Sequence, residues 1–149
     1  SGDKAKHTAA MTMLMTYPGV PSVFMGDELG FEGNSGEDAR RTINWEDRSS
    51  WDSEFFAEVK KLAKLRRTDD AFINGGLRWV AAEDNYLAYL RESKKSKVLV
   101  VIAAKPCTVD IDLSKIGYKV SKTLYGQKAT GNKIKFKTDG ASQGVWKLS

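Results

Sequence analysis

The chain has 149 residues, of which 41% are hydrophobic and 29% charged, as in a globular protein of one domain or two small ones. A single cysteine excludes an internal disulfide, and one cysteine with one histidine cannot supply the three or four ligands of a zinc site. We therefore predict no metal and no cofactor. No apolar run approaches the roughly 18 residues of a membrane span, and no secretory signal is visible, so we expect no membrane partner. The sequence does not determine the cellular compartment, although the cytoplasm is favoured.

The net charge of +5 is divided unevenly along the chain. Residues 1–74 carry 10 basic and 13 acidic side chains, whereas residues 75–149 carry 14 and 6. This asymmetry predicts two units with different surfaces. A basic half can indicate nucleic-acid binding, but lysines on the solvated face of an antiparallel sheet explain it better, so we expect no nucleic-acid partner.

The first predicted element is a helix over residues 3–16 with Asp3 as its N-cap. Small residues and methionines make a broad apolar stripe, which is typical of a helix that packs closely on a sheet. His7 lies near the helix start, where a surface or capping role is favoured over a catalytic one.

The stretch from Tyr17 to Gly30 reads as a turn, a short buried strand and an acidic loop. Pro18 and Gly19 end the helix, and Ser22–Met25 is a short apolar run typical of a strand. Asp27 and Glu28 then follow the predicted strand. A carboxyl strand end of this kind is where α/β proteins place their chemistry.

Residues 31–52 show no period, and a loop of that length is usually functional when ordered. The loop contains Glu37, Asp38, Arg40 and Arg41. Such a set can form an ion network of its own, or it can hydrogen-bond a polyhydroxylated ligand through the arginine forks. The two tryptophans of the loop can stack on sugars or can fill the core.

A second helix is predicted over residues 53–67, with Ser53 as N-cap. After the boundary at residues 74–76 the apolar period changes to two, and six or seven short strands follow. The continuous apolar run Val98–Ala103 predicts a central, buried strand. This half predicts an antiparallel β-sandwich or barrel, and nothing in it looks catalytic.

Two segments resemble the α-amylase family of glycoside hydrolases. Residues 18–30, Pro-Gly-Val-Pro-Ser-Val-Phe-Met-Gly-Asp-Glu-Leu-Gly, resemble its eighth barrel strand. Residues 36–45, Gly-Glu-Asp-Ala-Arg-Arg-Thr-Ile-Asn-Trp, resemble a loop of its neopullulanase, cyclomaltodextrinase and maltodextrin-hydrolysing branches. The resemblance implies an α+β fragment: residues 1–74 end a (β/α)8 barrel with a helix, strand, long loop and helix, and residues 75–149 form the C-terminal antiparallel β-sandwich.

The resemblance also implies the function. The family consists of retaining glycosidases with two catalytic carboxylates, and those residues lie on barrel strands that precede this chain. We therefore expect the C-terminal portion of an enzyme that degrades starch, maltodextrin or cyclodextrin, with no catalytic residue in the chain and no activity alone. Its expected partners are an α-glucan oligosaccharide and the N-terminal part of the barrel.

Site residues follow from the matched positions. Arg40 corresponds to an arginine that binds a glucose ring, and its usual aspartate partner is replaced by Gly36, so Glu37 or Asp38 is expected to substitute. Residues expected to shape the mouth of the barrel are Gly19, Pro21, Gly26, Asp27 and Glu28.

An alternative reading is a non-catalytic carbohydrate-binding sandwich. It requires exposed aromatic side chains, for which the candidates are Trp79, Tyr86 and Trp146. A further expectation concerns the apolar helix faces of the first half, which need partners in the sandwich, in the rest of a barrel or in a second copy. We therefore expect the fragment to self-associate or to have a mobile N-terminal part. The side chains concerned are Met11, Met13, Met15, Phe55 and Phe56.

Overall fold

A computed structural model describes residues 3–38 and 40–149. Ser1 and Gly2 of the first predicted unit, and Ala39 of the charged loop, lie outside these ranges. The helices are α1 (Lys4–Thr16), α2 (Ser53–Thr68) and α3 (Asp70–Asn74). The strands are β1 (Gly76–Ala82), β2 (Tyr86–Glu92), β3 (Lys97–Ala103), β4 (Cys107–Asp112), β5 (Val120–Gly126), β6 (Lys133–Thr138) and β7 (Ser142–Leu148). Single 3-10 turns span Asp27–Leu29 and Leu113–Ile116.

The strands form two antiparallel sheets that pack face to face. The larger sheet has the order β1-β2-β3-β7-β5, and the smaller one pairs β4 with β6. The core between them contains Ala88, Leu90, Leu99, Val101, Val109, Ile111, Leu113, Ile134, Trp146 and Leu148. The predicted antiparallel sandwich is confirmed.

Strand β3 is the centre of the larger sheet and is covered on both faces. Leu99 and Val101 face the smaller sheet, whereas Val98, Val100 and Ile102 face the helices. Because neither face meets water, the strand has no polar alternation. The prediction of a central, buried strand at this position is confirmed.

The helices cover the outer face of the larger sheet. Ala9 of α1 and Phe72 of α3 pack in one cluster with Tyr89 of β2. The Tyr89 hydroxyl lies 2.6 Å from the Thr16 hydroxyl at the end of α1. Burial raises the pKa of Tyr89 to about 12, so its hydroxyl stays protonated and hydrogen-bonded at neutral pH.

Helices α1 and α2 also pack against each other. Their shared cluster contains Met11, Met15, Phe55, Val59 and Leu62. Half-buried Val23 and Tyr125 pack against it, so both the segment that follows α1 and the sandwich contribute. The apolar faces of the two helices therefore find partners within the chain. No helix among the described residues is long and apolar enough to cross a bilayer.

Aspartates cap all three helices. Asp3 accepts the Lys6 N–H at 3.1 Å, as predicted. Asp52 accepts the Phe55 N–H at 2.9 Å, so the N-cap of α2 is Asp52 and the prediction of Ser53 was wrong by one residue. Asp69 caps α3, a short helix that the sequence reading did not predict.

Arg91 of β2 fastens the helices to the sheet. Its side chain is 2% exposed. The guanidinium donates to the carbonyls of Thr16 at 2.6 Å, Gly75 at 2.7 Å and Gly76 at 3.2 Å, and more weakly to that of Phe72 at 3.4 Å. Desolvation lowers the pKa of Arg91, with a smaller contribution from Arg66. Carbonyl oxygens thus replace the carboxylate that a buried arginine commonly has.

The predicted strand Ser22–Met25 is not a strand among the described residues. The segment has no regular secondary structure up to Phe24 and turns at Met25, and it pairs with no other described segment. Val20 is 95% exposed, and Phe24 and Met25 are about half exposed. A strand requires a neighbour for its hydrogen bonds, and no described part of this chain lies beside the segment as one.

Candidate functional site

The amino ends of α1 and α2 lie side by side and face the segment after the Asp27–Leu29 turn. Between them is a cleft of about 380 Å³, which we call the helix-end cleft. Its size lies in the range of small-molecule sites. It is lined by Asp3, Lys4, His7, Gly30, Phe31, Glu32, Gly33, Asn34, Asp52 and Phe55.

An ion pair and a ring contact hold the helix-end cleft together. Lys4 Nζ lies 2.8 Å from a carboxylate oxygen of Asp52. The hydrogen bond from Lys4, with the N–H of Phe55, lowers the pKa of Asp52, and Asp52 raises the pKa of Lys4. The His7 ring lies 4.3 Å from the Phe55 ring, centroid to centroid. His7 is thus part of the packing between the two helices.

Gly26 makes the turn that leads into the cleft. Its φ of +96° lies in the left-handed region, and a Cβ there would meet the Phe31 ring at 2.7 Å, so the position requires glycine. The Glu28 carboxylate folds back and accepts the Gly26 N–H at 3.1 Å. Asp27 and Glu28 lie in a 3-10 turn, so the prediction that they follow a formed strand was wrong.

The earlier turn, at Gly19 and Pro21, is held by Arg66 of α2. Gly19 has a φ of +100°. The Arg66 guanidinium donates to the carbonyl of Tyr17 at 2.6 Å and also to that of Gly19. Arg66 was not among the predicted site residues. Its signal was its place in the last turn of α2, because long basic side chains there reach free carbonyls.

Two ion pairs join four charged residues of the long loop. The Arg40 guanidinium pairs with the Glu37 carboxylate, and Arg41 Nη2 lies 2.8 Å from Asp38 Oδ1. Asp38 also accepts the Asn34 N–H at 3.0 Å. That backbone hydrogen bond, followed by the one from Arg41, lowers the pKa of Asp38. The loop thus brings the three predicted ligand-binding residues together, with Arg40 on Glu37 and Asp38 on Arg41.

A groove of about 300 Å³ runs along the same loop, and we call it the loop groove. It is lined by Gly30, Phe31, Glu32, Arg41, Thr42, Asn44 and Ser50. The loop groove and the helix-end cleft share the wall formed by residues 30–32. Arg41 lines the groove, whereas Arg40 does not, and the Arg40 side chain is 61% exposed.

The three sandwich aromatics proposed as ligand platforms lie in different surroundings. Trp79 is 47% exposed and contacts the rings of Tyr17 at 6.5 Å and Tyr89 at 5.6 Å. Tyr86 is half-buried. Trp146 is 0% exposed, because its side of β7 faces the smaller sheet, so the prediction that it is an exposed platform was wrong.

The described ranges contain no group of three or more His, Cys, Asp or Glu side chains placed to hold a metal ion. Cys107 is a half-buried free thiol. Desolvation raises its pKa, which lowers the thiolate fraction and the reactivity at neutral pH.

The chain is similar to part of several known enzymes, although no protein-family profile matches it. A cyclomaltodextrinase from a Bacillus species is 34% identical over 103 residues, which cover 68% of this chain and 18% of that protein. Neopullulanase 2 from Thermoactinomyces vulgaris is 33% identical over 103 residues, covering 68% and 17%. The chain therefore spans less than a fifth of the length of these relatives.

The fold is shared over nearly the whole chain. A debranching enzyme from Nostoc punctiforme matches 98% of this chain with a TM-score of 0.79 and 23% identity, and the match covers 29% of that enzyme. The likeness therefore includes the helices and the long loop as well as the sandwich.

Proposed function

Because this chain is a relative of the α-amylase family of glycoside hydrolases, we propose that it is the C-terminal portion of a retaining enzyme that degrades α-glucans. The observation that carries the proposal is the 34% identity with a cyclomaltodextrinase over 18% of that protein. Its substrates would be starch, maltodextrin or cyclodextrin.

In this proposal residues 1–74 complete a (β/α)8 barrel and residues 75–149 form the domain that follows it. The segment at residues 20–25 supports this assignment, because it contains an apolar run of strand-like composition that has no strand partner in the described ranges. Val20, Phe24 and Met25 leave apolar surface open at the same place. Neighbouring strands and helices of an upstream barrel would pair with this segment and cover these side chains.

We further propose that the catalytic carboxylates lie in that upstream barrel and that the chain is inactive alone. A retaining glycosidase needs a carboxylic acid whose pKa is raised. In the helix-end cleft and the loop, Asp3, Asp38 and Asp52 all have lowered pKa values because they accept backbone N–H groups and pair with cations. Carboxylates held ionised in this way are poor proton donors at neutral pH.

The chain would instead supply sugar contacts and the shape of the site. Arg40, with Glu37 or Asp38, would hydrogen-bond the hydroxyls of a glucose ring on the exposed loop. The residues that would shape the barrel mouth are Gly19, Pro21, Gly26, Asp27 and Glu28. The left-handed glycines and the folded-back Glu28 support this second role, because each fixes the backbone.

The test compares the 149-residue chain with a longer protein in which the same chain follows a complete upstream barrel. Reducing-sugar release from cyclodextrin and maltodextrin is the measurement. We expect release by the longer protein only. Hydrolysis by the chain alone would contradict the absence of catalytic groups, and an inactive but folded longer protein would contradict the proposed activity.

A carbohydrate-binding sandwich remains the second candidate, on one observation. Trp79 presents a half-exposed ring beside Tyr17, at 6.5 Å between centroids. Such a platform would bind sugar without any upstream barrel. Loss of oligosaccharide binding on Trp79→Ala, with binding in the unchanged chain, would favour this candidate.

A further inference from the structure

We propose that Trp45, on the long loop, is the centre of a saccharide-stacking site separate from the Arg40–Glu37 pair. Trp45 is 63% exposed and is the most exposed tryptophan of the chain. Tryptophan buries a large apolar area when it binds, and its ring face can stack on the C–H face of a pyranose. An aromatic ring held open to solvent in this way is available to a ligand.

A tight turn holds Trp45 in place. The Asn44 side-chain oxygen accepts the N–H of Glu46 at 3.1 Å and the N–H of Asp47 at 3.0 Å, which closes the backbone around Trp45. An asparagine side chain that bonds its own backbone in this manner makes a local turn. The backbone that presents the ring is therefore fixed before any ligand arrives, which reduces the entropy cost of binding.

Two further aromatic side chains link the Trp45 ring to helix α2. Trp45 meets Trp51 edge to face at 5.5 Å, and Trp51 meets Phe56 of α2 edge to face at 5.8 Å. The Arg48 guanidinium lies 4.9 Å from the centre of the Trp51 ring, which adds a cation–π contact. Trp45 is thus anchored through Trp51 to a regular helix, although it lies on a loop.

The polar surroundings favour a neutral, hydroxyl-rich ligand. Asn44, the chain neighbour of Trp45, lines the loop groove together with Thr42 and Ser50. The charged side chains from Glu37 to Arg48 number four acids and three arginines, so the loop is nearly neutral. Both arginines at positions 40 and 41 are already paired with carboxylates. A polyanion would gain little here, whereas sugar hydroxyls find both donors and acceptors.

The choice of an α-glucan as ligand rests on the proposed function. Binding by the 149-residue chain is independent of catalysis, however, so the two ideas fail separately. Calorimetric titration with maltoheptaose measures the site directly. The matched variants are Trp45→Ala and Trp79→Ala, which each remove one exposed tryptophan from a different half of the chain.

We expect Trp45→Ala to bind maltoheptaose at least about tenfold more weakly, the factor that corresponds to about 1.4 kcal/mol. The control Ile73→Ala, which removes an exposed apolar side chain of α3, should bind as the unchanged chain does. Raised salt should leave the affinity unaltered because the ligand is neutral. Trp45→Phe should keep part of the affinity. Equal unfolding midpoints for the variants establish that each is folded.

Three results would overturn the inference. The first is an unchanged affinity in Trp45→Ala, and the second is a loss confined to Trp79→Ala, which assigns binding to the sandwich. The third is no binding of maltoheptaose by the unchanged chain. If the oligomeric state of the chain then changes on Trp45→Ala, the exposed ring is a protein contact.

Discussion

The Arg91 guanidinium is buried, and its hydrogen bonds within the described ranges go to the backbone carbonyls of four residues. Replacing it by methionine keeps the apolar stem but removes a donor from each of those oxygens. We expect Arg91→Met to lower the free energy of unfolding by about 3 kcal/mol, because each unsatisfied buried polar group costs about 1–3 kcal/mol. Urea unfolding followed by circular dichroism measures the change.

The matched control is Arg78→Met on the neighbouring strand β1. Arg78 forms a bidentate pair with Glu92, at 2.9 and 3.1 Å, but its side chain is about half exposed. An exposed pair of this kind contributes about 0–1 kcal/mol. Equal losses of unfolding free energy in the two variants would show that the carbonyl contacts of Arg91 do not stabilise the junction between the helices and the sheet.

Single residues were predicted where their signal is local. Asp3 could be identified as a cap because an acid before a helical pattern needs only the next turn as partner. Trp146 could not be placed, since the exposure of a strand residue depends on which face the second sheet covers. Arg91 was also missed, because its acceptors come from residues 16 and 72–76, which the sequence does not bring together.

At the scale of elements, Asp69 joins the helices to the sandwich. Its carboxylate accepts from Lys147 Nζ of β7 at 2.7 Å, from the Ser96 hydroxyl and from the Ala71 N–H at 3.0 Å. Burial acts to raise the pKa of Asp69, but the hydrogen bonds from Lys147 and Ser96 outweigh it and the pKa is lowered. This stabilisation is therefore present above the ordinary value of 3.8 and is lost as pH falls through the folded-state pKa.

We expect Asp69→Asn to lower the free energy of unfolding by about 2 kcal/mol at neutral pH. Asparagine keeps an acceptor for the cap but loses the charge that binds Lys147. The difference from the unchanged chain should shrink below about pH 4. Urea unfolding across this range is the measurement.

Asp110→Asn serves as control, since the Asp110–Lys135 pair is exposed and should show little difference at any pH. A difference between Asp69→Asn and the unchanged chain that is constant with pH would contradict the assignment.

The elements themselves were largely predictable from periodicity. The bounds of α1, α2 and β3 agree with the apolar patterns to within a residue or so, because those patterns reflect which faces are buried. The predicted strand Ser22–Met25 had equally good composition and still did not form. Composition favours a strand, but only a neighbouring strand can satisfy its backbone.

At the scale of the whole molecule, one stretch of the described chain exposes four apolar side chains. Tyr17, Val20, Phe24 and Met25 are all exposed between the end of α1 and the Asp27–Leu29 turn. We expect the isolated chain to self-associate through this stretch at high concentration, since exposed apolar patches favour association. Size-exclusion chromatography with light scattering should show a mass that rises with concentration, and Val20→Ser with Phe24→Ser should reduce that rise.

The control for this experiment is Ile73→Ser, which removes an exposed apolar side chain from α3. It should leave the concentration dependence unchanged. A monomeric mass for the unchanged chain at every concentration would contradict the expectation.

Only part of the candidate functional site could be predicted from the sequence. The charged loop and the glycine turns could be recognised from their residues, and the loop does bring Glu37, Asp38 and Arg40 together. The pairing of Asp38 with Arg41 instead of Arg40 could not be recognised from the sequence, because two adjacent arginines have the same chemistry. The two clefts were also not foreseen. The helix-end cleft lies between segments that are distant along the chain, and the loop groove depends on how residues 30–50 fold back on themselves.

The cluster formed by Ala9, Phe72 and Tyr89, fastened by Arg91 to Thr16, has a consequence for protein engineering. Residues 1–74 and 75–149 share one buried core, so the boundary between them is not an interface between two separately folded domains. A chimera that received a foreign sandwich would have to match the helices at this cluster, and the sandwich alone would present an apolar face to water. The unit that recombination can move intact is the sandwich together with the helices that cover it.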